Sequence, residues 1–138
     1  NLLELRRIAL DRVQRYRVAL GAAPRGDGST TRLAQARALF AQHLFFEVHE
    51  VLEPWWRRAA GAERLVLQGI IQAAVAWHHG SSGRRAPAMR TASAAAAKLS
   101  AAADCWHGFP IAALRAQLDA YRLELARGVG PAPARLAL

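Results

Sequence analysis

Cysteine is nearly absent from this sequence, since Cys105 is the only one among 138 residues. A single cysteine excludes an internal disulfide and a cysteine-rich zinc site. No apolar run approaches the roughly 20 residues that a membrane-spanning helix needs. No signal peptide with a cleavage site opens the sequence. We therefore expect a cytoplasmic protein without membrane contact.

Lysine is equally scarce: Lys98 stands alone, and arginine supplies the other basic side chains of a chain with a formal charge of +9. The arginines are scattered along every segment, mostly singly or in short pairs such as Arg57-Arg58. A nucleic-acid site would favour a compact basic run with interleaved aromatic residues. We therefore expect a solvated basic surface rather than a nucleic-acid partner.

No segment shows the strict alternation of apolar and polar residues that is typical of strands. Instead, apolar residues recur every three to four positions, which predicts an all-α fold: a single compact bundle of five to six helices over residues 1–127. Residues 128–138 have no periodicity and predict an irregular tail. The sequence leaves open whether the second and third helices are continuous. The predicted helical segments are 2–20, 31–42, 44–59, 62–79, 86–103 and 110–127.

The segment 45–56 is the most informative, because it concentrates carboxylates, one imidazole and aromatic rings in a single predicted helix. At 100° per residue, His49 and Glu53 project only about 40° apart and share one face. Phe46 and Trp56 lie on or near that face. Polar groups beside apolar ones require hydrogen-bonding partners, so this helix is where we expect a functional site.

The segment 62–79 is the most apolar of the chain and predicts a central, buried helix. Its polar exceptions Gln68, Gln72 and His79 fall within about 40° of one another on a helical projection. They form a polar seam that could face His49 and Glu53.

These motifs resemble the domain of unknown function 309 family, which consists of small helical proteins. The resemblance covers about residues 36–100 and rests on Phe46-Glu47-x-His49-Glu50-x-Leu52-Glu53-x-x-Trp56 and on Leu67-Gln68-Gly69-x-Ile71-Gln72-x-Ala74-Val75 with His79. It implies a helical fold and a site location, but no reaction. The family usually has a glycine or a polar turn residue where this chain has Gln42-His43. The positions that the resemblance marks as characteristic are His49, Glu50, Glu53, Trp56, Gln68, Gln72 and His79.

Two interpretations of these residues stay open, and with them the question of whether the chain is an enzyme. In the first, an unidentified small molecule undergoes acid–base or hydrolytic chemistry, with Glu50 or Glu53 as the base and His49 orienting it. Its ligand-binding residues are Gln68, Gln72, His79 and Trp56. In the second, the chain is a non-enzymatic structural or interaction module whose polar cluster is a buried network that specifies the fold.

No cofactor is expected, although a divalent metal held by His49, Glu53 and His79 is a weaker alternative. The spacing His49-Glu50-x-x-Glu53 is similar to that of the zinc-binding helix of metalloproteases, but the second histidine is replaced by Glu53. A third ligand would therefore have to come from the central helix.

The adjacent residues Trp55 and Trp56 point about 100° apart on a helix. Both can be buried only if the helix is central or covered by another subunit. This argument predicts a homodimer.

Overall fold

The computed structural model describes residues 1–22 and 28–128. Six helices account for most of these residues, and no strand occurs among them. The predicted all-α bundle is therefore confirmed, with the larger of the two expected helix numbers. The tail predicted for 128–138 lies outside the described residues except for Gly128. The helices are α1 (Leu2–Ala22), α2 (Ser29–Ala41), α3 (Phe45–Arg58), α4 (Gly61–Ser81), α5 (Arg85–Leu99) and α6 (Ile111–Arg127).

The second and third predicted helices are separate, because the chain turns at His43. This residue has a φ of 56°, in the left-handed region that favours glycine. The N–H of His43 donates to the carbonyl of Phe40, and the N–H of Leu44 donates to that of Leu39. These two hydrogen bonds form the Schellman arrangement that ends many helices.

Helix α4 is the centre of the bundle and packs against both α3 and α5. Its residues Leu67, Ile70 and Ala73 are fully buried. On α5 the facing residues are small, as the alanine-rich sequence predicted, and Ala88, Ala92 and Ala95 are completely enclosed. Small side chains on both helices let their axes approach closely.

Gly69 of α4 lies where this approach is tightest. A Cβ atom built at this position would lie 2.6 Å from Cγ of Leu99, and Leu99 is itself fully buried on α5. The glycine within the Leu67-Gln68-Gly69 segment is therefore required by packing.

Aromatic side chains fill the core between α4 and the surrounding helices. The ring of Trp77 is stacked on Tyr121 at 5.2 Å and meets Phe40 edge-on at 6.3 Å. Phe109, in the connection before α6, is also buried beside Phe40.

None of the six helices in the described ranges combines the length and apolar composition needed to cross a bilayer.

Helix α1 is the exception to the predicted packing. An apolar stripe at helical spacing usually faces the core, but Leu2, Leu5 and Val13 are exposed, and among the α1 side chains that the structure describes only Ala19 is buried. The helix is held by polar contacts instead: Arg12 forms an ion pair with Glu47, and Arg15 donates to the carbonyl of Gln42.

Candidate functional site

Helices α3 and α4 run in opposite directions and place the predicted site residues in two adjacent rows. The ring of Phe46, near the start of α3, lies 6.4 Å from that of His78 near the end of α4. At the other end, the guanidinium of Arg64 lies 4.1 Å from the ring centre of Trp56. Contacts therefore join the two helices at both ends of the site. We call the surface formed by His49, Glu53, Trp56, Gln68, Gln72 and His79 the α3–α4 face.

On α3, the imidazole of His49 is oriented by a carboxylate one helical turn away. Its Nε2 lies 3.4 Å from Oε2 of Glu53, while Oε1 of Glu53 accepts a hydrogen bond of 2.8 Å from Arg57. The ring of Phe46 packs 6.0 Å from that of His49. Glu53 therefore holds the imidazole in one orientation, and Arg57 holds Glu53.

On α4, the polar seam predicted from the sequence is a row of half-exposed residues on an otherwise buried helix. Gln68, Gln72 and His79 are all half-exposed, as are Arg64 and Val75 between and beside them. Their spacing of three or four residues places them on one side of the helix. Because α3 and α5 cover the neighbouring sides of α4, this row borders α3.

Three of the four predicted ligand-binding residues carry an enclosed polar atom without a hydrogen-bond partner within the described protein. These atoms are Nε1 of Trp56, Oε1 of Gln72 and Nδ1 of His79. An enclosed polar atom without a partner costs about 1–3 kcal/mol. Other enclosed atoms, such as Nε1 of Trp77 and the hydroxyl of Tyr121 in the core, also have no partner within the described protein, but the three atoms named above belong to one face, where water or a ligand can bond to them.

His79 is the residue of this face whose protonation is altered by its surroundings. Burial lowers its pKa below the usual value of 6.5, and the nearby positive charges of Arg84, His78 and Arg90 lower it further. The ring is therefore neutral at pH 7. A neutral imidazole has one nitrogen that donates and one that accepts, so His79 can bond to a polar ligand in either direction.

The polar cluster is less buried than the second interpretation required. No polar or charged residue in the described part of the chain is fully buried, and the side chains of His49 and Glu53 are 33% and 28% exposed. The second interpretation expected a buried network, but the side chains of this network are half-exposed. The α3 flank faces solvent because the packing of α3 uses Phe45, Val48, Leu52 and Trp55.

Glu50 lies on a different part of α3 from His49. It is exposed and, with Glu47, lines a cleft of about 530 Å³ between α3 and α1. Tyr16 and Arg17 contribute to the opposite wall. The structure therefore separates the two predicted bases: Glu53 contacts His49, whereas Glu50 faces the cleft with α1.

Among residues 1–22 and 28–128, no group of three metal-ligating side chains has the arrangement needed to hold a metal ion. His49 and Glu53 contact one another, but no hydrogen bond or ion pair between described residues joins either of them to His79.

Trp55 does not need a second subunit to cover it. Its ring is stacked on Trp106 at 5.3 Å, its Nε1 donates to Glu63 at 3.0 Å, and it is only 8% exposed. The argument that predicted a homodimer from Trp55 is therefore wrong, because the connection between α5 and α6 covers this side of α3.

Sequence reasoning missed the residues that support the site from outside the motif. Arg57 holds Glu53, Arg64 covers Trp56, and His78 packs on Phe46. The four-residue spacing of Glu53 and Arg57 was visible in the sequence as a favourable helical pair. The other two contacts join different helices and had no local signal.

One comparison with known proteins found a match, and it covers the helices that form the candidate site. No curated protein and no solved structure is similar enough to this chain to match it. Residues 33–91 match the family model described as a domain of unknown function, DUF309. The matched segment contains α3, α4 and all six residues of the α3–α4 face, whereas α1 and α6 lie outside it. The match confirms, over residues 33–91, the resemblance to this family that the motifs predicted.

Proposed function

We propose that this protein binds a small polar molecule on the α3–α4 face and that His49 exchanges protons with it. The observation that carries this proposal is the set of enclosed atoms without partners on Trp56, Gln72 and His79. A ligand that bonds to these atoms would remove a cost that the free protein bears. Gln68, on the same row of α4, would contribute a further amide.

The roles of the two α3 residues follow from their contact. Oε2 of Glu53 lies 3.4 Å from Nε2 of His49; this contact would orient the ring and leave Nδ1 to face the ligand. The pair resembles the carboxylate–imidazole arrangement that orients a general base, and it suits hydrolytic or other acid–base chemistry. Because Glu50 faces the α1 cleft, we propose that the carboxylate of Glu53, and not that of Glu50, orients His49.

A fragment screen followed by NMR tests the binding step. Each tryptophan gives its own indole N–H signal, so binding of small amides, carboxylates or nucleobases at this face should shift the signal of Trp56. The Trp55 indole is the internal control, because its Nε1 already donates to Glu63. Gln72→Met should weaken any such binding by about tenfold or more, since losing one buried hydrogen bond to a ligand costs roughly 1–2 kcal/mol.

Gln117→Met on α6 is a matched control, because Gln117 is also half-exposed on a helix but lies outside the face. The proposal fails if no fragment shifts Trp56, or if both glutamine variants bind equally well. His49→Ala and Glu53→Gln then test the chemistry: both should abolish turnover of a bound, hydrolysable compound. Binding that survives with unchanged turnover in either variant would contradict the role of the pair.

The structural interpretation predicts a different result for the same variants. If Gln72 served mainly to fix the packing of α3 on α4, Gln72→Met would lower the melting temperature. A binding site predicts equal or higher stability, because the substitution removes an enclosed oxygen that has no partner in the protein. Thermal unfolding of Gln72→Met therefore separates the two interpretations without any ligand.

We also propose that the protein works in the cytoplasm. The support is its single cysteine, which is exposed and unpaired and is therefore compatible with a reducing compartment. Fractionation of cells that produce the protein tests this location.

A further inference from the structure

Helix α1 carries most of the exposed apolar surface of the molecule. Eleven large hydrophobic residues are exposed in the described part of the chain, and eight of them lie on α1. Their exposed fractions range from 40% for Tyr16 to 85% for Leu2. The largest apolar patch of a typical monomer covers about 300–600 Å² and is often functional. Such a concentration on one helix indicates an interaction surface.

The contacts that hold α1 leave this surface free. Arg12, Arg15 and Ala19 attach one side of the helix to α2 and to the start of α3. Only α2 packs closely along α1. The first ten residues are exposed throughout, so the N-terminal half of the helix projects from the bundle.

The central apolar stripe of α1 has a symmetric spacing. It consists of Leu2, Leu5, Ala9, Val13 and Tyr16, which are separated by three, four, four and three residues. A two-fold axis at Ala9 pairs Leu5 with Val13 and Leu2 with Tyr16. In an interface between two identical copies, each residue that contacts another is contacted by it in return. The smallest side chain lies where the two helices would cross, which permits close approach.

The cleft beside α1 continues this surface. Val13 and Tyr16 line the space of about 530 Å³ between α1 and α3. The same two-fold axis places Leu5 and Leu2 of a second copy at these two residues. The second copy would therefore cover Val13 and Tyr16 with apolar side chains that are otherwise exposed to water. The charged side chains that also line the cleft, Arg17 and Glu50 among them, are not part of the proposed contact.

From these observations we propose that α1 is a dimerisation helix, which pairs antiparallel with α1 of a second copy through Leu2, Leu5, Ala9, Val13 and Tyr16. The helix is about 30 Å long at 1.5 Å per residue. The five stripe residues span 14 positions, which is about 21 Å of this length. The proposal does not depend on the function of the α3–α4 face, because that face lies on the other flank of α3.

Sedimentation velocity of the full chain over a range of concentrations tests the proposal. We expect a dimer at micromolar concentration that dissociates on dilution. Leu5→Arg should raise the dissociation constant of the dimer by about a hundredfold or more. The loss of one buried leucine already weakens binding by more than about tenfold, and the substitution removes one leucine from each of the two copies. Leu10→Arg is the matched control, since Leu10 is 61% exposed and Leu5 is 63% exposed on the same helix.

Leu10 lies about 100° from the centre of the stripe, so Leu10→Arg should leave the dimer intact. Circular dichroism checks that both variants keep their helices, which we expect because neither residue is in the core. A monomeric wild-type chain at about 100 μM would overturn the proposal. Equal effects of the two substitutions would also overturn it.

Disulfide trapping tests the register of the pair. In a Cys105→Ser background, Ala9→Cys should form a covalent dimer rapidly under mild oxidation, because the two copies of this residue meet at the axis. Gln14→Cys, which is exposed on another side of α1, is the control and should react slowly. Faster trapping at position 14 than at position 9 would overturn the proposed arrangement.

Salt dependence gives an independent readout of what covers the stripe. Two basic helices held together by apolar contacts should associate more tightly as salt screens their repulsion. A dimer that dissociates as salt rises would be held by ion pairs instead, and this result would contradict the apolar interface.

Discussion

Helices α1 and α4 have the same length, 21 residues each, and both carry a continuous apolar stripe, yet they occupy opposite positions in the molecule. Ten residues of α4 are buried, whereas Ala19 is the only buried one among the α1 side chains that the structure describes. The difference lies in the neighbours: α4 is covered by α3 and α5, and α1 packs closely on α2 alone. An apolar stripe shows that a helix will be covered, but not whether its own chain covers it.

We expect the largest difference in the free energy of unfolding when one leucine from each helix is replaced by alanine. Leu67→Ala in α4 should lower the free energy of unfolding by about 2–5 kcal/mol, because it leaves a cavity in the core. Leu5→Ala in α1 should change it by less than about 0.5 kcal/mol. Guanidinium unfolding at a protein concentration below the dimer dissociation constant measures both, and similar losses would remove the contrast between the helices.

A second comparison uses a glycine from each helix. Gly69→Ala should destabilise the protein by about 1–3 kcal/mol through overpacking against Leu99. No atom lies within 4 Å of a Cβ built at Gly21. Gly21→Ala should therefore raise helix stability by up to about 1 kcal/mol. Melting temperatures measured by circular dichroism should shift in opposite directions, and a loss of stability in both variants would contradict this account.

The polar contact that holds α1 is expected to have a smaller effect. Arg12→Ala removes the ion pair with Glu47, and partly exposed pairs of this kind typically contribute less than about 1 kcal/mol. Global stability should hardly change, while hydrogen exchange in α1 should accelerate relative to α4. Arg7→Ala, on the exposed side of the same helix, should accelerate neither.

The smallest effect concerns the pH dependence contributed by His79. Its pKa is lowered in the folded state, mainly by burial, so the unfolded chain binds this proton at a higher pH than the folded one. The stabilising contribution is therefore complete above about pH 6.5 and is lost as the pH falls through the lower folded value. His79→Gln should reduce the decline in melting temperature between pH 7.5 and 5, and an NMR titration of the His79 ring should show the lowered pKa directly.

The helical fold was predictable because its signals are local. The apolar periodicity identified every helix to within a few residues, and the motif identified the two helices that form the candidate site. The turn at His43 was not predictable as a helix break, because neither glycine nor proline is present there; its left-handed conformation is stabilised by the Schellman hydrogen bonds and by stacking of the His43 ring on Phe45 at 5.5 Å.

The candidate site was predictable only in part. The pairing of His49 with Glu53 follows from their spacing on one helix and is present as predicted. The separation of Glu50 from that pair depends on where α1 lies, and the covering of Trp55 depends on the connection between α5 and α6. These contacts join distant parts of the chain, so their formation depends on packing that no local pattern records.

The sequence by itself determined a bundle of five or six amphipathic helices and the two rows of polar residues on α3 and α4, because the period of a helix fixes which side chains share a face. Only the tertiary structure decided which faces are covered. It encloses α4, leaves His49 and Glu53 half-exposed, and leaves the stripe of α1 open to solvent. The physical reason is that burial depends on the total apolar area that the helices can cover together, and of the α1 side chains that the structure describes only Ala19 belongs to the core.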